Sequence, residues 1–195
     1  ARDLEFGLRR ARAHGLQTKQ VLTIAGDALF FREFDLPQVI GCFRKLESKA
    51  EKAEADPADV SLVLYYKLSE GEDSASRGMV DVDARSKRIT GFVEKPQEAN
   101  CPSSRLACPL FYILGTKAIA LLEEFVSNIK PGTSQGERYS CGKFLESAHS
   151  RTALYGLRLP GRFALVGVGA GLEEYKELNA QFGGLDVDDG LTVLG

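Results

Sequence analysis

The feature that most constrains this chain is an alternation of short apolar runs with longer segments whose apolar residues recur at helical spacing. The apolar runs occupy residues 21–27, 59–66, 105–114, 153–159 and 163–168. Runs that are apolar on both faces are typical of central parallel strands. The first helical pattern ends near residue 14. The others cover residues 35–55, 117–129, 139–148 and 171–182. This alternation predicts an α/β fold, doubly wound around a mostly parallel sheet, with helices on both faces.

Residues 78–96 break this alternation and have the pattern of a hairpin. Two strand-like pieces, 79–83 and 88–94, flank a polar tip that includes Arg85, Ser86 and Lys87. Apolar alternation on either side of a short polar segment is typical of two antiparallel strands. We therefore expect a β-hairpin inserted into the α/β framework.

The length of 195 residues and the composition are those of one globular domain that spans residues 1–195. Apolar residues make up 44% of the chain, and a domain of this size buries about 70% of the surface that its unfolded chain exposes. The 25 basic and 27 acidic residues are interspersed and give a net charge of −2. A chain without a basic stripe is not expected to have nucleic acid as its main partner.

The cysteines and the hydropathy indicate a reducing, aqueous environment. The four cysteines are far apart, and the two histidines do not lie near them at zinc-ligand spacing. We expect reduced, mostly buried thiols. The sequence contains no run of 18 apolar residues, which a transmembrane helix would need, and no secretory segment is recognisable. A cytoplasmic location is predicted, with an organelle such as the plastid as the alternative.

Gly26 and Asp27 end the first apolar run and form the first candidate site. Ligands of open α/β sheets bind beyond the carboxyl ends of strands. A carboxylate there could hold Mg²⁺, which prefers oxygen ligands and bridges substrate phosphates. An aspartate at the end of a strand is about as typical of a turn or a helix cap.

Glu94, Lys95 and Pro96 follow the second hairpin strand and form the second candidate site. A lysine that leaves a strand could place its ammonium on a phosphate. The alternative is a solvent-exposed strand end, at which the proline prevents further ladder pairing.

Taken in order, these segments resemble one enzyme family. The stretches AGDALFFREFDL, GMVDVDARSKRITGFVEKP, LACPLFYIL and GRF occur in the order and approximate spacing of the sugar-1-phosphate nucleotidyltransferases, also called nucleotide-sugar pyrophosphorylases. The resemblance extends from about residue 4 to residue 182. It implies a Rossmann-like nucleotidyltransferase fold and a reaction of an NTP with a sugar 1-phosphate to give a nucleotide sugar and pyrophosphate.

The resemblance also implies roles for three side chains. Asp27 matches the carboxylate that binds Mg²⁺, and Lys95 matches the lysine that contacts the sugar phosphate. Glu94 matches the acid that contacts the sugar. Asp27 and Lys95 are therefore the candidate catalytic residues, and Glu94 and Lys95 are the candidate substrate-binding residues. The CPLFYIL segment matches a strand that lines the sugar pocket.

The chain departs from the family at both phosphate-binding segments. Family members begin with a strand and a G-x-G-T-R loop, followed by a Pro-Lys pair, and this sequence contains no counterpart. Where the family usually has a second metal-binding aspartate, this chain has Val166, Gly167 and Val168. The glycine cluster at 167–171 has the composition of a phosphate-binding loop, although a tight turn is favoured.

Two hypotheses follow from these departures. In the first, the domain is a pseudoenzyme that has lost catalysis and serves as a structural or interaction subunit, with a protein partner or within a larger assembly. In the second, an N-terminal segment outside this sequence completes an active pyrophosphorylase, which uses Mg²⁺ and binds NTP and sugar 1-phosphate. The first is preferred for the chain as it stands, because the fold alone does not guarantee activity.

Overall fold

The computed structural model describes residues 1–26, 28–30, 34–69, 72–97, 100–130, 132–134, 140–160, 163–165 and 180. Its helices are α1 (Arg2–Ala13), α2 (Leu36–Lys52), α3 (Thr116–Ser127) and α4 (Cys141–Ala148). Its strands are β1 (Val21–Ile24), β2 (Ala28–Phe30), β3 (Val60–Lys67), β4 (Gly78–Val82), β5 (Ile89–Glu94), β6 (Leu106–Cys108), β7 (Phe111–Leu114), β8 (Ala153–Arg158) and β9 (Phe163–Leu165). The helix predicted at residues 171–182 lies outside the described residues, except for residue 180.

The end of α1 and the start of α2 are explained by local capping. Asp35 precedes α2, and its side chain accepts a hydrogen bond of 3.0 Å from the amide of Gln38. Pro37 lies in the first turn, where a missing N–H costs no helical hydrogen bond. Gly15 follows α1 with φ of +78°, a left-handed conformation that ends the helix.

None of the helices in the described ranges has the length and hydropathy needed to cross a bilayer.

The main sheet confirms the α/β class but corrects the predicted strand directions. Its order is β1-β7-β3-β6-β4-β5, and β8 also pairs with β3. Each pair along that order is antiparallel, whereas β3 and β8 are parallel. The described sheet is therefore dominated by antiparallel pairs and is not mostly parallel. Since β7 runs in the opposite direction between β1 and β3, the strands β1, β3 and β8 share one direction although only β3 and β8 are neighbours.

The predicted hairpin is confirmed, and the apolar run at 105–114 is divided into two strands. β4 and β5 pair antiparallel around the tip at residues 83–88, where Lys87 has φ of +62°. Pro109 has no amide donor, and Leu110 adopts φ of +54°. The chain bends there, so that β6 pairs with β4 while β7 pairs with β1. A two-stranded sheet of β2 and β9 is formed separately.

Helices cover both faces of the main sheet, as the sequence predicts. On one face, Val39 and Phe43 of α2 pack in a cluster with Leu62 and Leu64 of β3 and Phe111 of β7. On the other face, buried residues of α3 and α4 pack with Val63, Val80, Tyr112 and Leu114. Because successive residues of β3 point to opposite faces, both clusters draw on the same strand.

The cysteine prediction is only partly correct. All four cysteines are free, as expected for reduced thiols. Only Cys108 is buried, whereas Cys42, Cys101 and Cys141 are half-buried. Apolar neighbours in sequence did not distinguish a core position from one that lines a cavity or a loop.

Candidate functional site

A cavity of about 410 Å³ lies between the hairpin strands, the bend at Pro109 and the first turn of α4. Glu94 and Lys95, which the sequence selected as substrate-binding residues, both line it. Ala25, which follows β1, lines the same cavity. The structure thus brings Ala25, just after β1, to the same cavity as the end of the hairpin.

Glu94 is held at the N-terminus of α4. The hydroxyl of Ser140 donates a hydrogen bond of 2.9 Å to Glu94 Oε1. Ser140 is also the N-cap of α4, since its oxygen accepts a hydrogen bond of 3.0 Å from the amide of Lys143. The carboxylate of Glu94 is half-buried and has a defined orientation at the cavity wall.

Lys95 lies at the mouth of the cavity with an exposed side chain. Its backbone has φ of +50°, and its amide donates a hydrogen bond of 2.9 Å to the carbonyl oxygen of Arg77. Arg77 also lines the cavity, although its Nε donates to the hydroxyl of Tyr66 at 3.3 Å. Lys95 therefore supplies an accessible positive charge to the same cavity that Glu94 lines.

The bend between β6 and β7 contributes the less polar wall, formed by Cys108, Pro109, Leu110 and Tyr112. Burial raises the pKa of the Cys108 thiol to about 12. Burial also raises the pKa of the Tyr112 phenol well above its ordinary value. Both groups are neutral near pH 7, so this wall offers hydrogen bonds and apolar contact rather than charge or a thiolate nucleophile.

The metal-binding half of the predicted site falls outside the described residues. Asp27, the candidate metal ligand, is not among them, and neither are Val166, Gly167, Val168 and the rest of the glycine cluster. Within the described ranges, no group of three or more histidine, cysteine, aspartate or glutamate side chains could hold a metal ion. The described residues do not by themselves form a Mg²⁺ site. The cavity that they do form is lined by one carboxylate, that of Glu94, and by the basic residues Arg77 and Lys95.

Ser140 and Gly142 are site residues that sequence reasoning missed. A serine followed by an apolar helical pattern is a recognisable N-cap. Its contact with Glu94, 46 residues earlier in the chain, has no local signature. The sequence shows a helix start at Ser140 and a strand end at Glu94 as two separate patterns. Only the fold shows that these two residues are close together.

Comparison with known proteins supports the fold. No family model and no curated protein matches the sequence. Among similar solved structures, an apo UDP-glucose pyrophosphorylase has a TM-score of 0.63 and 20% identity, with 93% of this chain and 60% of that chain covered. A UDP-glucose pyrophosphorylase complexed with UDP-glucose has a TM-score of 0.62 and 20% identity, with 93% and 62% covered. The UTP-bound UGPase from Acinetobacter baumannii has a TM-score of 0.59 and 16% identity, with 92% and 56% covered.

At these identities the similarity shows the fold alone, which is that of sugar-1-phosphate nucleotidyltransferases. The chain spans 56% to 62% of the length of these solved structures. The Rossmann-like nucleotidyltransferase fold implied by the sequence resemblance is thereby confirmed.

Proposed function

We propose that this chain is a nucleotidyltransferase-like domain that binds a sugar 1-phosphate in the cavity beside α4. The observation that carries the proposal is that Glu94 and Lys95 line the same cavity of about 410 Å³. The Lys95 ammonium provides a point charge for the phosphate. The Glu94 carboxylate accepts hydrogen bonds from sugar hydroxyls. The volume is within the range of about 300 to 1,000 Å³ that is typical of small-molecule sites.

The solved structures of similar fold support this class of ligand. One of them is complexed with UDP-glucose, and another is bound to UTP. A nucleotide sugar contains the sugar phosphate as one of its parts. The assignment to this chain rests on the cavity residues and not on the fold alone.

We further propose that the chain as it stands does not transfer nucleotides. The sequence has no G-x-G-T-R loop, and residues 166–168 provide no carboxylate for a second metal ligand. If Asp27 held a Mg²⁺ ion, it would be the one carboxylate ligand from the two candidate segments, and substrate phosphates would have to supply further oxygen ligands. Such a domain would serve as a structural or interaction subunit of a larger assembly. An active pyrophosphorylase completed by a further N-terminal segment is the alternative.

Calorimetric titration with glucose 1-phosphate tests the binding proposal. Lys95→Gln should lower the affinity by about tenfold or more, because a hydrogen bond to a charged group contributes about 1.5 to 3 kcal/mol. Lys87→Gln is the matched control, since Lys87 is an exposed lysine with positive φ at the far end of the same hairpin. Failure of the wild-type protein to bind any sugar 1-phosphate would reject the proposal.

A pyrophosphate-release assay with several NTPs and sugar 1-phosphates tests the absence of transfer. We expect no appreciable turnover by the 195-residue chain. Loss of one preorganised donor commonly lowers a rate by about 10²- to 10³-fold, and here an entire loop has no counterpart. Turnover near about 1 s⁻¹ that disappears in Asp27→Asn would instead support the active pyrophosphorylase.

A further inference from the structure

The hydroxyl of Ser140 connects the first turn of α4 to the candidate sugar-binding carboxylate. It lies 2.9 Å from Glu94 Oε1 and 3.0 Å from the amide nitrogen of Lys143. A serine hydroxyl has one hydrogen to donate and two lone pairs with which to accept. A carboxylate can only accept a hydrogen bond, and a backbone N–H can only donate one. The hydroxyl of Ser140 therefore donates to Glu94 and accepts from the amide of Lys143.

Gly142 leaves the space that Glu94 occupies. A Cβ atom placed on Gly142 would lie 1.7 Å from Glu94 Oε2 and 2.2 Å from its carboxyl carbon. Any side chain at this position would therefore displace the carboxylate. Gly142 is buried in the first turn of a helix, where glycine is less favourable than other residues. Its presence is explained by the close approach of Glu94.

We propose that Ser140 and Gly142 are positioning residues, which orient the Glu94 carboxylate toward a sugar hydroxyl in the cavity. This inference rests on the proposed binding of a sugar 1-phosphate. Ser140 fixes one carboxylate oxygen, and Gly142 permits the other to pack against the helix backbone. The remaining lone pairs of Glu94 then accept hydrogen bonds from the ligand. Because the side chain is already ordered, less conformational entropy is lost on binding.

The same arrangement assigns the two ends of the ligand. The N-terminus of a helix carries a partial positive charge, which Glu94 already faces in α4. That helix end is therefore occupied by the protein's own carboxylate. The phosphate binds at Lys95, and the hydroxylated ring lies toward Ser140 and Tyr112.

Variants of Ser140 separate helix capping from the orientation of Glu94. Threonine retains both functions of the hydroxyl, whereas aspartate retains the cap but cannot donate to Glu94 and repels it. We expect Ser140→Thr to bind glucose 1-phosphate within about twofold of wild type, and Ser140→Asp to bind about tenfold or more weakly. Gly142→Ala should show a similar loss, because its methyl group displaces the carboxylate.

The control variant is Ser147→Ala, whose parent hydroxyl donates to the Phe144 carbonyl oxygen within α4, and Ser147 is not among the described residues that line the cavity. It should leave the affinity unchanged. Inorganic phosphate, titrated by phosphorus NMR, should bind Ser140→Ala as it binds wild type, since Lys95 provides that contact. Thermal unfolding of each variant establishes that it is folded at the temperature of the titration.

Three outcomes would overturn the inference, each in a recognisable way. Wild-type affinity in Ser140→Asp and Gly142→Ala, together with a loss in Lys95→Gln, would reject positioning while the proposed function stands. Equal losses in Ser140→Thr and Ser140→Asp would indicate disruption of α4 instead of misorientation of Glu94. Absence of sugar 1-phosphate binding by the wild-type protein would reject both proposals.

Discussion

The hydroxyl oxygen of Ser61 accepts a hydrogen bond of 3.0 Å from the amide of Gly115, which lies 54 residues later in the chain. Ser61 is fully buried in β3, and Gly115 immediately precedes α3. The contact satisfies an amide at the helix N-terminus that has no partner within the helix.

Replacement of Ser61 should therefore destabilise the fold through an unpaired group. We expect Ser61→Ala to lower the free energy of unfolding by about 1 to 3 kcal/mol, because the Gly115 amide is left buried without an acceptor. Chemical denaturation measures the change. Ser127→Ala is the control, since the Ser127 hydroxyl is exposed at the end of α3 and bonds to a carbonyl of its own helix. Equal stability of the Ser61→Ala and wild-type proteins would contradict this assignment.

Gly115 itself is required by a close backbone contact. A Cβ atom at this position would lie 2.2 Å from the carbonyl oxygen of Val60, which cannot rotate away as a side chain could. We expect Gly115→Ala to cost about 1 to 3 kcal/mol of stability, as overpacking does elsewhere. Gly41→Ala, in the middle of α2 with open space around it, should instead stabilise by about 0.5 to 1 kcal/mol. Melting temperatures that shift in the same direction for both variants would count against the explanation.

Asp59 joins the start of β3 to the start of β8. Its Oδ1 accepts hydrogen bonds from the Thr152 hydroxyl at 2.5 Å and the Ala153 amide at 2.9 Å. Burial would raise its pKa, but these hydrogen bonds and the ion pair with Lys117 outweigh burial and lower the pKa below 3.8. The folded protein therefore favours the ionised form, and this contribution to stability is present above pH 3.8 and lost as the pH falls through the folded pKa.

Asp59→Asn should destabilise the protein by about 1 to 3 kcal/mol at pH 7, because hydrogen bonds to a charged acceptor are replaced by weaker ones. The difference from wild type should be fully present above pH 3.8 and should narrow as the pH falls through the lowered pKa of Asp59 in the folded protein. Urea unfolding across a pH series from 7 downward provides the comparison. Glu124→Gln, which removes an exposed carboxylate partner of Arg151, should have the smaller effect at pH 7. A pH-independent loss in Asp59→Asn would show that the charge is not responsible.

The thiols should differ in their reactivity according to burial. Cys108, whose pKa is raised to about 12 by burial, should resist iodoacetamide at pH 8 until the protein unfolds. The half-buried Cys42, Cys101 and Cys141 should react in the native protein. Glucose 1-phosphate should protect Cys141 alone among these three, because only Cys141 lines the cavity. Mass spectrometry of the labelled peptides measures each rate, and equal labelling of Cys108 and Cys101 before unfolding would contradict the burial argument.

The candidate site was predictable in part because some of its residues belong to one local pattern. Glu94 and Lys95 end a hairpin strand that the alternation of apolar residues predicts, and both line the cavity. The contribution of Ser140 was not predictable in the same way. Its capping role is local, whereas its bond to Glu94 depends on where the fold places α4 relative to β5.

Sequence periodicity and capping chemistry by themselves determined the α/β class, the hairpin and the first turn of α2, because these depend on residues within a few positions of one another. The tertiary structure alone decided the direction of β7. An apolar strand buried on both faces has the same composition whether its neighbours are parallel or antiparallel. Both β6 and β7 run antiparallel to β3, and the bend at Pro109 and Leu110 between them places β7 next to β1 and gives the cavity its wall.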